Sequence, residues 1–294
     1  MPYVLGLKRG TVSLVPHQAE WEREAERTIE RLRALVGDVI VDIQHVGSTS
    51  IKSIMAKPII DIALAVKSFD DILKYEEKLR ENGFYYRPKV TLGSQLLFGC
   101  GSFYEGTGDL QTHFIHVVIE NSIDWINYIN FRDYLNKKPS EAKKYEELKL
   151  SLAEQAPVDS GREKYLAGKS EFISYINRKA LAFSYLGKTV TMRVDRAINT
   201  QHPSHKSIIY PLNYGYIPGA FSADGEEIDV YLLDVSEPVE EFTGKIIAII
   251  HRLNDNEDKL VMAPLGISKT EEEIYSSVQF QERFFQTEIE LEEK

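Results

Sequence analysis

Asp224-Gly225-Glu226-Glu227-Ile228-Asp229 places four carboxylates within six residues. Crowding of like charge at that density is unfavourable unless something offsets it. A hard divalent cation does so, and carboxylate oxygens with retained waters are the ligands magnesium prefers. Gly225 permits the sharp turn that would let Asp224, Glu226 and Asp229 converge. A solvated acidic hairpin turn is the other reading of the same residues. Further along, Asp255, Glu257 and Asp258 form a second acidic group, and Arg196 and Lys259 supply cations near the ends of other strand-like runs. Together they have the chemistry to fix metals and a diphosphate. Between Arg196 and the first acidic group lies the aromatic run Ile209-Tyr210-Pro211-Leu212-Asn213-Tyr214-Gly215-Tyr216-Ile217-Pro218-Gly219. It reads either as a packed core turn or as a source of Tyr210 and Tyr214 hydroxyls for phosphate oxygens.

The first half carries a different set. His45-Val46-Gly47-Ser48-Thr49-Ser50 precedes the apolar run Pro58-Ile59-Ile60-Asp61-Ile62-Ala63. A Gly-Ser turn presents N–H and hydroxyl groups to a triphosphate, while a carboxylate on the next strand holds magnesium. Two acids at alternate positions would share one face of that strand, but Asp61 is followed by Ala63 and the second acid is absent. His113 and His116 stand three apart on a strand-like run, so they face opposite ways and make a poor metal pair. A structural, hydrogen-bonded histidine is the favoured reading of each.

The elements that would position these groups follow from periodicity. From His17 to Val36 the residues Trp21, Ala25, Ile29, Leu32 and Leu35 recur at helical spacing. Val39 to Ile43, Pro58 to Val66 and Leu110 to Ile119 read as strands, Phe69 to Asn82 as a helix ended by Gly83. Helical segments follow over Ser122 to Lys137, Ser140 to Glu154 and Glu163 to Leu181, punctuated by Pro139 and Pro157. Beyond Gly187 the pattern is strand-rich, at Val190 to Val194, Ile228 to Leu233, Lys245 to Leu253 and Leu260 to Ala263. A last helix starts near Thr270, which forms a capping box with Glu273. These patterns place a boundary near Phe183 to Gly187, giving domains at 1–183 and 188–294.

YPLNYGYIPG followed by DGEEIDVYLL resembles the soluble inorganic pyrophosphatases over residues 188–287. The resemblance implies a small five-stranded barrel of the oligonucleotide-binding type with metals and diphosphate at its mouth. Asp224, Glu226 and Asp229 match the signature acids, Arg196 an arginine of a VDR segment, and Lys259 a phosphate lysine within NDNEDKLVMAP, where Asp255, Glu257 and Asp258 stand for two further acids. Glu226 replaces an aspartate, and Glu282-Arg283-Phe284-Phe285 stands where the family has a Tyr-Lys pair. Over residues 12–181, HVGSTSI with AKPIIDI, HFIHVV, FRDYL and REKYLAGKSEFI resemble the GrpB-like family, which is placed among nucleotidyltransferase-like folds. Ser48, Lys57, Asp61, His113, His116, Arg132 and Lys169 match its motif positions.

The fold expected is therefore α+β in two domains, a nucleotidyltransferase-like α/β domain followed by a small OB-like five-stranded β-barrel with a C-terminal helix. The function expected is magnesium-dependent hydrolysis of pyrophosphate or a related phosphoanhydride; the alternative is a regulatory protein that binds phosphate or nucleotide without turnover. The catalytic set expected is Asp224, Glu226, Asp229 and Tyr214. The substrate binders are Arg196, Lys259, Tyr210, Ser48 and Lys57, and the ligands of Mg2+ are Asp224, Glu226, Asp229, Asp255, Glu257, Asp258 and Asp61. With 294 residues, 43% hydrophobic and 27% charged, the chain reads as folded. A net charge of −10 argues against extended nucleic-acid binding. One cysteine excludes an internal disulfide, and no apolar run of spanning length occurs. The expectation is a cytoplasmic protein with a pyrophosphate or nucleotide ligand, no membrane partner, and room for a homo-oligomer.

Overall fold

The computed structural model describes residues 3–89, 94–157, 161–202, 206, 209–221 and 226–292. It divides into two compact units, Met1–Ile173 and Ser174–Lys294.

In chain order the first unit contains β1 (Leu7–Lys8), α1 (Glu20–Val36), β2 (Ile40–Val46), a 3-10 turn (Ser48–Ser50), β3 (Ile60–Val66), α2 (Phe69–Leu73), α3 (Glu76–Glu81), β4 (Tyr85–Tyr86), β5 (Leu96–Cys100), α4 (Ser102–Glu105), β6 (Leu110–Gln111), β7 (His113–Ile119), α5 (Ile123–Lys137), α6 (Pro139–Glu154) and α7 (Arg162–Ala167). A five-stranded mixed sheet runs in the order β2-β3-β7-β5-β4, with β3 and β7 parallel and the other neighbours antiparallel. The amphipathic stripe of α1 (Trp21, Ala25, Leu32, Val36) packs with Ile43, Ile60, Ile62, Leu64, Ile115 and Val117 in one core. Burial of such side chains contributes roughly 1.5–3 kcal/mol each, and it overrides the indifferent helix propensity of β-branched neighbours.

Two runs that read as continuous are broken. The helix expected over residues 69–82 divides at Lys74–Tyr75, where the Tyr75 hydroxyl donates to Asp38 in the loop after α1. The strand expected over residues 110–119 divides at Thr112, so that β6 pairs with β1 while β7 pairs with β3 and β5.

α8 (Ser170–Tyr185) leads into the second unit, followed by β8 (Thr189–Arg196), β9 (Asn213–Phe221), β10 (Glu227–Leu232), β11 (Glu241–Arg252), β12 (Asp258–Ala263), α9 (Glu271–Glu282) and β13 (Thr287–Leu291). Ala182 of α8 belongs to a core with Met192, Ile217, Val230, Ile249 and Leu260, which puts the end of that helix with the strands that follow it. The strands run β12-β10-β9-β8-β11, and β11 pairs again with β12, closing a five-stranded barrel. β11 spans 12 residues, long enough to serve β8 with its first part and β12 and β13 with its second. β13 extends the chain past the expected C-terminal helix. Alternation along β10 sends Ile228, Val230 and Leu232 into the core shared by all five strands. It sends Tyr231 and Leu233 into a second core with Ile274 and Val278 of α9. The Thr270 hydroxyl accepts from Glu273 N at 3.2 Å, and the Glu273 carboxylate accepts from Thr270 N at 2.8 Å, completing the capping box. Gly215 sits where β9 meets β8, and a Cβ there would overlap the Arg193 carbonyl oxygen. No other residue fits.

Candidate functional site

The barrel assembles its polar groups on the face that carries Tyr214 and Tyr231. Strand register puts Tyr214 of β9 opposite both Arg196 of β8 and Tyr231 of β10. The Arg196 guanidinium lies 5.8 Å from the Tyr214 ring centroid, and Lys259 Nζ of β12 lies 5.9 Å from the same centroid. Lys259 donates to both Asp229 and Glu257. Tyr210 packs 5.5 Å from Tyr214 and stacks on His202 at 5.9 Å. Burial, together with the adjacent Asp229 carboxylate, holds the Tyr214 hydroxyl far above its ordinary pKa, so it stays protonated. Arg196 also pairs with the neighbouring Asp195, while its buried Nε finds no acceptor among the described residues.

A second tier supports this group. Arg252, at the end of β11, donates through Nε and Nη2 to Glu282 at 3.0 and 2.6 Å and through Nη1 to Asp255 at 3.0 Å. The same Nη1 is 3.5 Å from Glu257. Glu282 also accepts from the Tyr231 hydroxyl at 2.5 Å. Burial works against the charge on Arg252, but its hydrogen bonds to Glu282 and the Glu282 charge outweigh it, raising its pKa. The sequence does not mark Arg252 and Glu282 as a pair. One sits 30 residues from the other, and the only signal was a charged pair, His251-Arg252, ending an apolar strand.

The expected site residues divide as follows. Asp229, Glu257, Asp255, Lys259, Arg196, Tyr214 and Tyr210 are brought together. Asp224 and Gly225 lie outside the described residues, and Glu226 is exposed just before β10. Asp258 is not part of the group. Being adjacent to Lys259 on a strand, it points to the opposite face, where it meets His251 at 2.9 Å and Arg178 at 3.6 Å. Burial alone would lower the His251 pKa, but hydrogen bonds from the ring to the Asp258 and Glu290 carboxylates outweigh it and raise it. Among the described residues no group of three or more His, Cys, Asp or Glu is arranged to hold a metal ion. The donors that do converge, Asp229 and Glu257, are hard oxygen ligands of the type magnesium takes with waters, so their chemistry fits that ion.

In the first unit, Asp61 accepts from His116 Nε2 at 3.2 Å, and Tyr128 and Gln95 meet the other ring nitrogen at 2.9 and 3.1 Å. Burial opposes ionisation of Asp61, but the hydrogen bond and charge of His116, with the ammonium groups of Lys57 and Lys169, leave its pKa below the ordinary carboxylate value. Gly47, at φ +70°, lies so close that a Cβ would meet Asp61 Oδ2 at 2.5 Å. The Ser48 hydroxyl makes no hydrogen bond among the described residues. His113 faces the other way, buried, with Nε2 3.2 Å from the Thr28 hydroxyl. Arg132 donates to Gln44 and to the His45 carbonyl, at 2.8 and 3.0 Å, bracing β2.

The family model for GrpB protein matches residues 11–179, more than half of the chain. The chain belongs to the GrpB family. A second model, for inorganic pyrophosphatase, matches residues 162–291 and so overlaps the first over α7 and part of α8. The glutamate-rich protein GrpB of Alkalihalophilus pseudofirmus is 38% identical over 174 residues, which cover 59% of this chain and 98% of that protein. The solved structure of the conserved protein GrpB from Enterococcus faecalis superposes with a TM-score of 0.53 at 26% identity, covering 59% of this chain and 99% of that chain. The inorganic pyrophosphatase of Ehrlichia chaffeensis aligns with a TM-score of 0.29 at 15% identity, over 36% of this chain and 87% of that chain. In this GrpB-family chain the GrpB domain is followed by a segment similar to inorganic pyrophosphatase. No helix among the described residues is long and apolar enough to cross a membrane.

Proposed function

We propose that the barrel of this GrpB-family protein, within residues 188–294, hydrolyses inorganic pyrophosphate or a related phosphoanhydride in the presence of magnesium. One observation carries the reading: Arg196, Tyr214, Asp229, Glu257 and Lys259, drawn from four segments of the chain, gather on one barrel face. Asp229 and Glu257, with Asp224, Glu226 and Asp255, would hold the ion. When bound, magnesium supplies charge neutralisation and Lewis acidity at the diphosphate. The protein's own part is positioning and electrostatics, as phosphoryl transfer requires. Arg196, whose Nε has no acceptor among the described residues, and Lys259, able to exchange a carboxylate for a phosphate oxygen, would balance charge on the transferring and leaving groups. Tyr214, kept protonated, orients Asp229 and can donate to a phosphate oxygen. In the same reading the protein works in the cytoplasm. Incubation of the full chain with pyrophosphate and magnesium should release orthophosphate, and Asp229→Asn should abolish release. Absence of any release, or release untouched by Asp229→Asn, refutes the proposal.

A second reading, binding without turnover, has one observation in its favour: Lys259 occupies the two convergent carboxylates and Asp258 turns away from them. Calorimetry showing tight pyrophosphate binding beside absent hydrolysis would select it.

A further inference from the structure

The first unit buries more positive charge than its fold explains. Lys57 precedes β3, Lys149 lies on α6, Arg162 opens α7, and Lys169 stands between α7 and α8. Lys149 is 1% exposed and Lys169 is 9% exposed. The ammonium groups of Lys57 and Lys169 face the same ring, 5.2 and 4.8 Å from the centroid of Tyr165. Lys149 donates to the Met55 carbonyl and sits 4.7 Å from the Tyr145 centroid. Arg162 donates to Gln111, with its guanidinium carbon 5.4 Å from the Phe114 centroid. Lys57 lies within electrostatic reach of the other three and of Asp61.

Among the described residues none of the four makes an ion pair. Asp61, whose charge acts on Lys57, is held by His116, and Glu146, near Lys149, accepts from Met55 N at 2.5 Å. Burial and mutual repulsion lower the pKa of Lys149 to about 7 and of Lys169 to about 8, and hold Lys57 well below the ordinary lysine value. Aromatic faces and a carbonyl offset part of the desolvation, but a folded chain with no ligand gains nothing by gathering four cations. The arrangement is that of a receptor awaiting an anion.

We infer that Lys57, Lys149, Arg162 and Lys169 form a binding site for a di- or triphosphate chain, inorganic or carried by a nucleotide, that requires no divalent cation. Four protein cations supply the neutralisation that magnesium provides where carboxylates dominate, and a guanidinium fork with ammonium groups matches phosphate oxygens. This site is independent of the barrel, so its failure leaves the hydrolase proposal standing.

The test is calorimetry on the full chain with sodium triphosphate and with ATP, both in EDTA. Saturable binding is expected, weakened at least tenfold by Lys57→Met and by Lys169→Met. Equal affinity for the two ligands identifies the phosphate chain as the recognised group, and tighter ATP binding identifies a nucleotide; either supports the site. Melting followed by the fluorescence of Trp21 and Trp125 adds a readout that a structural lysine would not give. Lys169→Met should raise the ligand-free melting temperature, because an unpaired buried charge is removed, while cancelling the rise induced by triphosphate. Should Lys169→Met not fold, Lys169→Arg should fold and bind within threefold of the parent. Absence of binding in EDTA, or binding that both methionine variants retain, overturns the inference.

Discussion

Glu282→Gln is the substitution from which the barrel's polar framework can be judged. Glu282 is 0% exposed and accepts two charge-assisted hydrogen bonds from Arg252, itself 3% exposed. Glutamine keeps the volume and an acceptor for the Tyr231 hydroxyl, but it removes the charge. Breaking a buried pair by deleting one partner costs about 3–5 kcal/mol, because the other charge is left uncompensated. Here Asp255 at 3.0 Å and Glu257 at 3.5 Å keep the guanidinium partly satisfied, which puts the loss near the lower end, about 3 kcal/mol. At roughly 1.4 kcal/mol per decade this corresponds to about a hundredfold faster opening of the hydrogen bonds around Arg252. Native-state hydrogen exchange read by mass spectrometry resolves it, with the acceleration expected in β10, β11 and β12. Trp21 and Trp125 both lie in the first unit, so their fluorescence separates a local effect on the barrel from a general one. An acceleration below tenfold would show that the Arg252–Glu282 pair does not hold these strands together.

Gly215→Ala should cost about 3 kcal/mol or more, seen as lost soluble yield or a lowered melting point, because β9 must move off the Arg193 carbonyl. His45 and His113 are kept neutral by burial, which lowers each pKa to about 4 from 6.5. The folded state thus binds fewer protons than the unfolded one between those values. Stability of the first unit should be full above pH 6.5 and fall as pH drops toward 4, by up to about 3 kcal/mol per histidine. Chemical denaturation followed by tryptophan fluorescence across that range checks the slope, and His113→Asn should flatten it. Thr270→Ala removes the acceptor for Glu273 N and should lower barrel stability by about 1 kcal/mol in urea unfolding.

Much of this architecture is written locally. The stripe of α1, the alternation of β10 and the Thr270–Glu273 cap each depend on residues within one or two turns of each other, and each reads correctly from spacing alone. The aromatic run Ile209–Gly219 reads from the sequence as a packed core turn or a source of hydroxyls, whereas most of it is strand β9, and only the pairing of β9 with β8 puts Tyr214 opposite Arg196. What escapes such reading is contact between distant segments. Arg252 and Glu282 look like surface charges until β11 and α9 meet, and Lys149 on a polar helix gives no sign that its ammonium is buried. Asp258 and Lys259 adjoin in sequence and were expected in one site. Strand geometry sends adjacent side chains to opposite faces, so only Lys259 reaches Asp229. β13 is not legible in the sequence because Thr287–Leu291 alternates polar and apolar residues too briefly to stand out.

In the proposed reaction one barrel face hydrolyses a phosphoanhydride through Asp229 and Lys259. Orthophosphate release from pyrophosphate by the full chain, measured with magnesium and then with EDTA, tests it most directly. Steady release is expected with magnesium, with loss in EDTA and in both Asp229→Asn and Lys259→Met while the fold is retained. Equal rates in the parent and both variants, or no release from the parent at any magnesium concentration, would contradict it.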